Sequence, residues 1–434
     1  MNVLLVGGGG REDALAWRIR KSPLVERLWA APGNPGIARH ATLLTYGADD
    51  FDGITAFAAR ERVDLVVVGP EAPLVAGLAD RFVERGIPVF GPEQRAAAIE
   101  GSKAFAKALM ARHGIPTARF ETFTDPTAAR RFCRELGAPL VVKTDGLAAG
   151  KGAIVCPTLE DADTAIADCM ERRAFGASGA TVVIEEFMVG EEASFFVVSN
   201  GTDVLPLAAA QDHKTIFDDD RGPNTGGMGS YSPAPRIDRT MRDRIMAEIV
   251  RPTIAALAKD AAPYRGVLYV GLMLTDAGPK VVEFNCRFGD PECQAIMVRT
   301  GRDLVPLMLA AARGDDLGPG AAWEMDWSSD TAGDTGVCVA LASGGYPGSY
   351  RTGVPIAGVD AAEAHPGITV FHAGTAIANG RLVTNGGRVL GVTAVAADLE
   401  EAIARAYGAI DEITFEGMQY RRDIGRKGLA ARRG

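Results

Sequence analysis

Paired cysteines, long apolar runs and excess positive charge are all missing from this 434-residue chain. The six cysteines (Cys133, Cys156, Cys169, Cys286, Cys293 and Cys338) form no CxxC pair, which argues against a zinc site and a disulfide frame. Reduced thiols in a cytoplasmic protein are expected. No apolar run approaches the roughly 18 residues of a membrane span. Met1 to Val6 runs straight into glycines without the basic start of a signal peptide, so no secretion is expected. A net charge of -9 speaks against a general nucleic-acid binder. Any anionic substrate must therefore be held by local lysines and arginines. Repeats and low-complexity segments are also missing, and no Ser-His-Asp or Cys-His arrangement is evident. What remains is an ordinary soluble composition, 47% hydrophobic and 23% charged, long enough for two or three domains.

The most informative stretch is Lys280 to Glu292, KVVEFNCRFGDPE. Read as a strand running into a loop, it puts Glu283, Asn285 and Arg287 on one face and Phe284 and Cys286 on the other. A carboxylate, an amide oxygen and a guanidinium on one ridge suit a hard cation carrying phosphates. The plainer alternative is a solvated face at a sheet edge. Asp290-Pro291-Glu292 adds acid and a sharp turn at the exit.

At the N-terminus, the apolar strand Val3 to Val6 leads through Gly7, Gly8, Gly9 and Gly10 into a helix near Arg11. Such a layout presents backbone N–H groups to an anion. The dinucleotide pattern GxGxxG fails at Glu12, and no acidic residue follows about 20 positions on. Phosphate binding survives this failure; a tight turn alone is the other reading. Strands ending in Gly69-Pro70-Glu71 and Gly91-Pro92-Glu93 flank a helix with Leu78 and Phe82, a βαβ pattern predicting a parallel sheet. Glu71 would sit in its crevice, placed for a sugar hydroxyl, whereas Glu93 reads as a helix N-terminal acid.

Further on, strand Leu140 to Lys143 meets a loop rich in glycine and alanine, Thr144 to Gly152, followed by a second strand. Lysines at both shoulders give it the look of a flap over a polyphosphate. It is not a P-loop, because its spacing is one short and no helix follows. The acids and apolar residues of Glu185-Glu186-Phe187-Met188 to Glu192 fit an adenine slot, with the linker backbone reading the base and a carboxylate taking the ribose.

The order of these parts resembles the ATP-grasp superfamily and, within it, the phosphoribosylamine–glycine ligase family. The likeness is carried by GGGGRED at 7–13, VGPEAPLV at 68–75, EGSKAFAK at 100–107, KTDGLAAGKG at 143–152, IEEFMVGEEASF at 184–195, QDHK at 211–214, GPNTGGMGSYSPAP at 222–235, EFNCRFGDPE at 283–292 and TNGGRVL at 384–390. The resemblance implies an α/β multidomain chain. Its parts would be an N-terminal Rossmann-like parallel-sheet domain (1–104), a central ATP-grasp fold (105–327, flap about 125–193) and a C-terminal mixed α+β domain (328–434). It implies an ATP-dependent ligase of purine biosynthesis that joins glycine to 5-phosphoribosylamine through a glycyl phosphate. Mg2+ or Mn2+ would be held by Glu283 and Asn285. ATP would meet Lys103, Lys143, Gly150, Lys151, the linker Glu185, Glu186, Phe187 and Met188, and Glu192. Phosphoribosylamine would meet Gly7 to Gly10, Arg11 and Glu71. Asp212, Lys214, Asn224, Gly226, Arg287 and Asp290 would line the reacting centre.

Three positions depart from the family pattern: Asp13 stands where histidine is usual, Thr144 for alanine and Thr215 for arginine. Asp13 would bring a negative charge near the substrate phosphate. In the C-terminal part, Asn379-Gly380 signals a two-residue hairpin, Asp398 to Ile410 an amphipathic helix, and His372 a bonded core or edge histidine. The basic tail Arg421 to Lys427 reads as a solvated end, and the domain as packing and cleft closure. A monomer with no nucleic-acid or membrane partner is expected. The rival readings are another ATP-grasp ligase with a different acid substrate, a nucleotide sensor without turnover, and an NAD-linked dehydrogenase, the last weakened by Glu12.

Overall fold

Val3 to Val6 offer no polar face, so the strand they form must be covered on both sides. In the computed structural model, which describes residues 1–148, 152–318 and 335–433, all four are fully buried. Strand Asn2–Gly7 is central in a five-stranded parallel sheet, flanked by Arg27–Pro32 and Leu65–Val68, with Thr42–Leu43 and Val89–Phe90 at the edges. The helices expected between strands are present, among them Leu78–Val83 with Leu78 and Phe82 buried. The strands' carboxyl ends share one edge, which carries Gly7, Gly69 and Gly91.

A second, four-stranded sheet has the order Phe120–Phe123, Val182–Glu186, Leu140–Thr144, Ala153–Cys156. Its cover is set by local chemistry. The Asp125 side chain accepts from the N–H groups of Thr127 and Ala128 and starts helix Pro126–Leu136. Thr158 and Asp161 cap each other at helix Leu159–Ile166. Phe132, Leu140, Val142, Ile166 and Ile184 fill the space between. Leu140–Thr144 pairs antiparallel with Ala153–Cys156, so the glycine-rich loop joins two strands of a hairpin, as expected of a flap.

The largest sheet has eight strands, in the order Gly278–Asn285, Arg265–Thr275, Glu191–Asn200, Val204–Asp212, Gly229–Ser232, Thr335–Ala342, Arg388–Ala396, Ile368–His372. The C-terminal strands thus extend the central sheet, through Ser230 paired with Cys338. Near one edge the register slips. Gly271 faces Glu283 and Leu272 faces Val281, leaving Val282 as the extra residue of a bulge. Asn379 and Gly380 both have positive φ and join Thr375–Ala378 to Arg381–Thr384 as the predicted hairpin.

The sheet's last strand returns to the N-terminal glycine loop. Asn34 Nδ2 donates to the carbonyls of Gly8 (2.9 Å) and His372 (2.7 Å). The His372 N–H donates to Asp13 Oδ2 at 2.7 Å, and His372 Nδ1 lies 3.1 Å from Thr375 Oγ1. Asp13 therefore faces His372 and Gly36 and does not line the cavity described below. Its other oxygen has no partner. Burial pushes the Asp13 carboxyl up to about 7, only partly opposed by the His372 N–H and Arg39. Ionising it in the fold is therefore unfavourable. The effect is nil below the unfolded value near 4 and complete above about 7. Asp13→Asn keeps an acceptor for His372 and should stabilise the protein by about 1–3 kcal/mol at pH 8, with the gain fading towards pH 4. Urea midpoints of both proteins across that range check it; a gain independent of pH would be the wrong result.

Candidate functional site

A cavity of about 660 Å3 lies where the three sheets converge. Strand Gly278–Asn285 delivers Glu283 and Asn285 to its wall, and Phe284 and Cys286 turn into the core, as alternation requires. Burial alone would raise the Glu283 carboxyl. Lys214, Lys143 and Lys103 outweigh it and hold Glu283 below the ordinary carboxylate range. Lys103 begins helix Lys103–His113 and donates to the Gly146 carbonyl at 2.9 Å, which ties it to the flap. Lys143 donates to Glu185 Oε2 (3.0 Å) and to the Val282 carbonyl (2.9 Å), the group that the bulge turns inward. Lys214 pairs with Glu192 at 2.7 Å. Asp212 beside it is pushed up to about 7 by burial, against the pull of Lys214.

Arg287 and Arg11 also reach the wall, but each is already held by acids. Arg287 donates to Glu71 Oε2 (3.1 Å) and Asn285 Oδ1 (3.1 Å) and pairs with Glu100 (3.0 Å). Arg11 donates to Glu12 (2.6 Å) and to the Phe288 carbonyl (3.1 Å). Glu71 bridges the two, 4.0 Å from Arg11, and both arginines keep its carboxyl low despite burial. Asp290 accepts from Gln294 (2.9 Å) and lies 3.4 Å from Arg388.

The structure does not bring every residue singled out in the sequence to the cavity wall. Gly7, Gly8, Gly9 and Gly10 do not line the cavity. The reason is Glu12: its carboxylate takes the Gly9 N–H at 2.6 Å, and its Cγ lies 2.6 Å from where a Gly7 Cβ would stand. The acid that spoils the dinucleotide pattern thus occupies the loop itself. In the linker, Phe187, Met188 and Glu192 line the cavity, and the carboxylates of Glu185 and Glu186 are held in ion pairs. Glu185 is buried between Lys107 and Lys143, and Glu186 accepts from Lys280 (3.2 Å) and the Arg119 N–H (3.1 Å). The Glu185 carboxylate is thus closed off, while the Glu186 side chain stays 37% exposed beside the cavity. Gly150 and Lys151 lie outside the described residues.

The sequence reading also missed wall residues. Arg388, from a C-terminal strand, donates to the carbonyls of Gly226 (2.7 Å), Gly227 (3.1 Å) and Asp290 (2.6 Å). Tyr346 accepts from the Gly226 N–H at 3.0 Å. The C-terminal part therefore furnishes the site as well as closing it. Arg388 stands within the TNGGRVL stretch, whose paired glycines were the available signal. Glu100 and Lys107 stand at the ends of the EGSKAFAK stretch, whereas Tyr346 lay in no such stretch.

Lys214 and Asn224 are brought together by the hairpin Thr215–Phe217 and Arg221–Asn224, with the Thr225 N–H and hydroxyl both donating to the Lys214 carbonyl. Beneath it lies Arg421, fully buried, donating to Thr215 Oγ1 (2.8 Å), Asp220 (3.1 Å) and Asp423 (2.7 Å). Arg426 and Lys427 pair with Asp219 (3.0 Å) and Asp220 (2.6 Å). The basic tail is thus an ion-pair clamp, not a solvated end; three consecutive aspartates, 218–220, are what draw it in.

Among the described residues no group of three His, Cys, Asp or Glu closes on a metal-sized point. Glu283 and Asn285 place a carboxylate and an amide oxygen on the cavity wall, a pair whose chemistry would suit a hard cation that keeps phosphates and waters in its shell. No helix of the described residues is long and apolar enough to cross a membrane.

Comparison with known proteins decides the family. Residues 1–100, 101–293 and 336–427 match, in turn, the N domain, the ATP-grasp (A) domain and the C domain of phosphoribosylglycinamide synthetase. The chain belongs to the phosphoribosylamine–glycine ligase family. It is 51% identical to the phosphoribosylamine–glycine ligase of Agrobacterium fabrum over 99% of both chains, and 50% identical to that of Vibrio vulnificus over 99% of both. The crystal structure of the Thermotoga maritima phosphoribosylamine–glycine ligase superposes with a TM-score of 0.84 at 34% identity, covering 98% of this chain and 100% of that one. Biotin carboxylase from Campylobacter jejuni shares the fold alone, with a TM-score of 0.72 at 15% identity over 96% of this chain and 92% of that one.

For this phosphoribosylamine–glycine ligase family member, removing the clamp should be costly. Arg421→Ala strands Asp423 and Asp220 beside a buried void, and a loss of about 3–5 kcal/mol in urea unfolding is expected. A loss below about 1 kcal/mol would show the pairs to be dispensable.

Proposed function

We propose that this chain is an ATP-dependent ligase that joins glycine to 5-phosphoribosylamine, giving glycinamide ribonucleotide, ADP and phosphate. The observation that carries the reading is one ionised carboxylate, Glu283, facing three lysines from three separate elements across a single cavity. Such a place suits a polyphosphate. A carboxylate is a poor electrophile at neutral pH. A glycine carboxylate oxygen would therefore attack the γ-phosphorus of ATP, with ADP leaving, to give glycyl phosphate. The amine of phosphoribosylamine would then attack the acyl carbon, lose a proton and expel phosphate. No protein nucleophile is needed; position and charge neutralisation suffice.

In this reading Lys103 and Lys143 hold nucleotide phosphates, Met188 and the linker backbone the base, and Glu192 the ribose. Glu283 and Asn285 would hold Mg2+ or Mn2+, which when bound neutralises phosphate charge. Lys214, Asp212, Asn224, Gly226, Arg287 and Asp290 line the reacting centre, and Arg11 and Glu71 the phosphoribosylamine end. The flap excludes water from the acyl phosphate. The protein would work in the cytoplasm as a monomer, without nucleic acid.

ADP release should require ATP, glycine and freshly made phosphoribosylamine together; equal release with glycine left out would end the proposal. Glu283→Gln should lower turnover by about two to four orders of magnitude with an unchanged melting curve. Near-normal activity at saturating magnesium would remove Glu283 from the cation site.

A further inference from the structure

Lys107, Glu185 and Lys143 form a cluster on the cavity wall that the reaction as described does not use in full. All three are nearly inaccessible, at 2%, 2% and 5% exposure, so two cations share one carboxylate away from water. Both ammonium groups lie 3.0 Å from Glu185 oxygens. A lysine has three N–H bonds. Lys143 commits one to Glu185 and one to the Val282 carbonyl at 2.9 Å, which fixes the direction of the third. Lys107 commits one to Glu185 and one to Thr117 Oγ1 at 2.7 Å, and its ammonium lies 5.4 Å from the centre of the Phe120 ring. The Thr117 hydroxyl in turn donates to the Val281 carbonyl at 2.7 Å, on the strand that carries Glu283. The cluster is therefore anchored at both ends to that strand, through Val281 and Val282.

We propose that Lys107 and Glu185 are positioning residues for Lys143: Lys107 holds the Glu185 carboxylate in place, and that carboxylate with the Val282 carbonyl aims the free N–H of Lys143 at a nucleotide phosphate. The inference rests on the reading that Lys143 meets the phosphates. Charge counting supports it. With Lys143 alone, Glu185 would neutralise the ammonium meant for the phosphate. With Lys107 as a second partner, the cluster keeps one net positive charge facing the cavity. Burial lowers Lys107 to about 8, against Glu185, so the cation persists at neutral pH. Phosphates and base should also separate cleanly, since Glu185 offers the adenine slot only backbone groups.

The test is calorimetric titration of the full-length protein with ADP and, separately, adenosine, without added divalent cation. Lys107→Met and Glu185→Gln should each weaken ADP by about tenfold and leave adenosine within about twofold, with Lys107→Arg recovering part of the loss. Unchanged ADP affinity in both variants would overturn the proposal. Adenosine weakening in step with ADP would overturn it too, because the cluster would then merely prop the linker. Lys143→Met separates the two layers: if it leaves ADP binding intact, Lys143 does not meet phosphate, and the underlying assignment falls with the inference.

Discussion

The interaction on which the site depends is the attraction of three lysines to one buried carboxylate. Burial disfavours the charge on Glu283, and Lys214, Lys143 and Lys103, with a smaller pull from Arg287, restore it. Each lysine comes from a different part of the chain. Lys103 begins a helix beside the N-terminal sheet, Lys143 lies on the four-stranded sheet and Lys214 leads into the hairpin over the large sheet. Bringing three cations together would be unfavourable without that acid and its neighbours. The acids are therefore distributed as well: Glu185 for Lys143, Glu192 for Lys214, and Asp212, which burial raises against the pull of Lys214. The cavity is a balance of charges assembled by folding, and a bound polyphosphate with its cation would compete with these acids for the lysines.

A second balance lies at the other end of the cavity. Arg11 and Arg287 are threaded among Glu12, Glu71 and Glu100. Glu100 also accepts the Cys286 N–H at 2.6 Å, just beyond Asn285. The exit of the cation strand is thus held by a residue from the helix that closes the N-terminal sheet domain. Arrangement of this kind fixes direction more than it adds stability, since buried ion pairs lose in desolvation much of what they gain.

How much of this could be read from the sequence depended on the range of the interactions. Features settled within a few residues were legible: the alternation from Glu283 to Arg287, the Asp125-Pro126 helix start, the Thr158–Asp161 capping box and the Asn379-Gly380 turn. The family likeness supplied the fold and named many of the charged residues that line the cavity. What stayed hidden were partnerships across long separations. Glu185 reads as part of an adenine slot until Lys107 is seen beside it. Arg421 reads as a basic tail until Thr215, Asp220 and Asp423 surround it. Asp13 reads as a neighbour of the glycine loop, yet its hydrogen bond runs to His372, 359 residues away. The bulge at Val282 has no local mark either, though it turns the carbonyl that Lys143 needs.

The large sheet does not end where the central domain does. Its first strand, Gly278–Asn285, runs into Arg287, which grips Glu71 and Glu100 of the N-terminal domain. Its last, Ile368–His372, grips Asn34 and Asp13 of that same domain. The molecule is consequently a closed loop of rigid parts, with the N-terminal sheet as the keystone. Inside that loop the Arg11 N–H reaches Asp290 Oδ2 at 3.4 Å, so the glycine loop and the exit of the cation strand are held together directly, not through the slack of any linker.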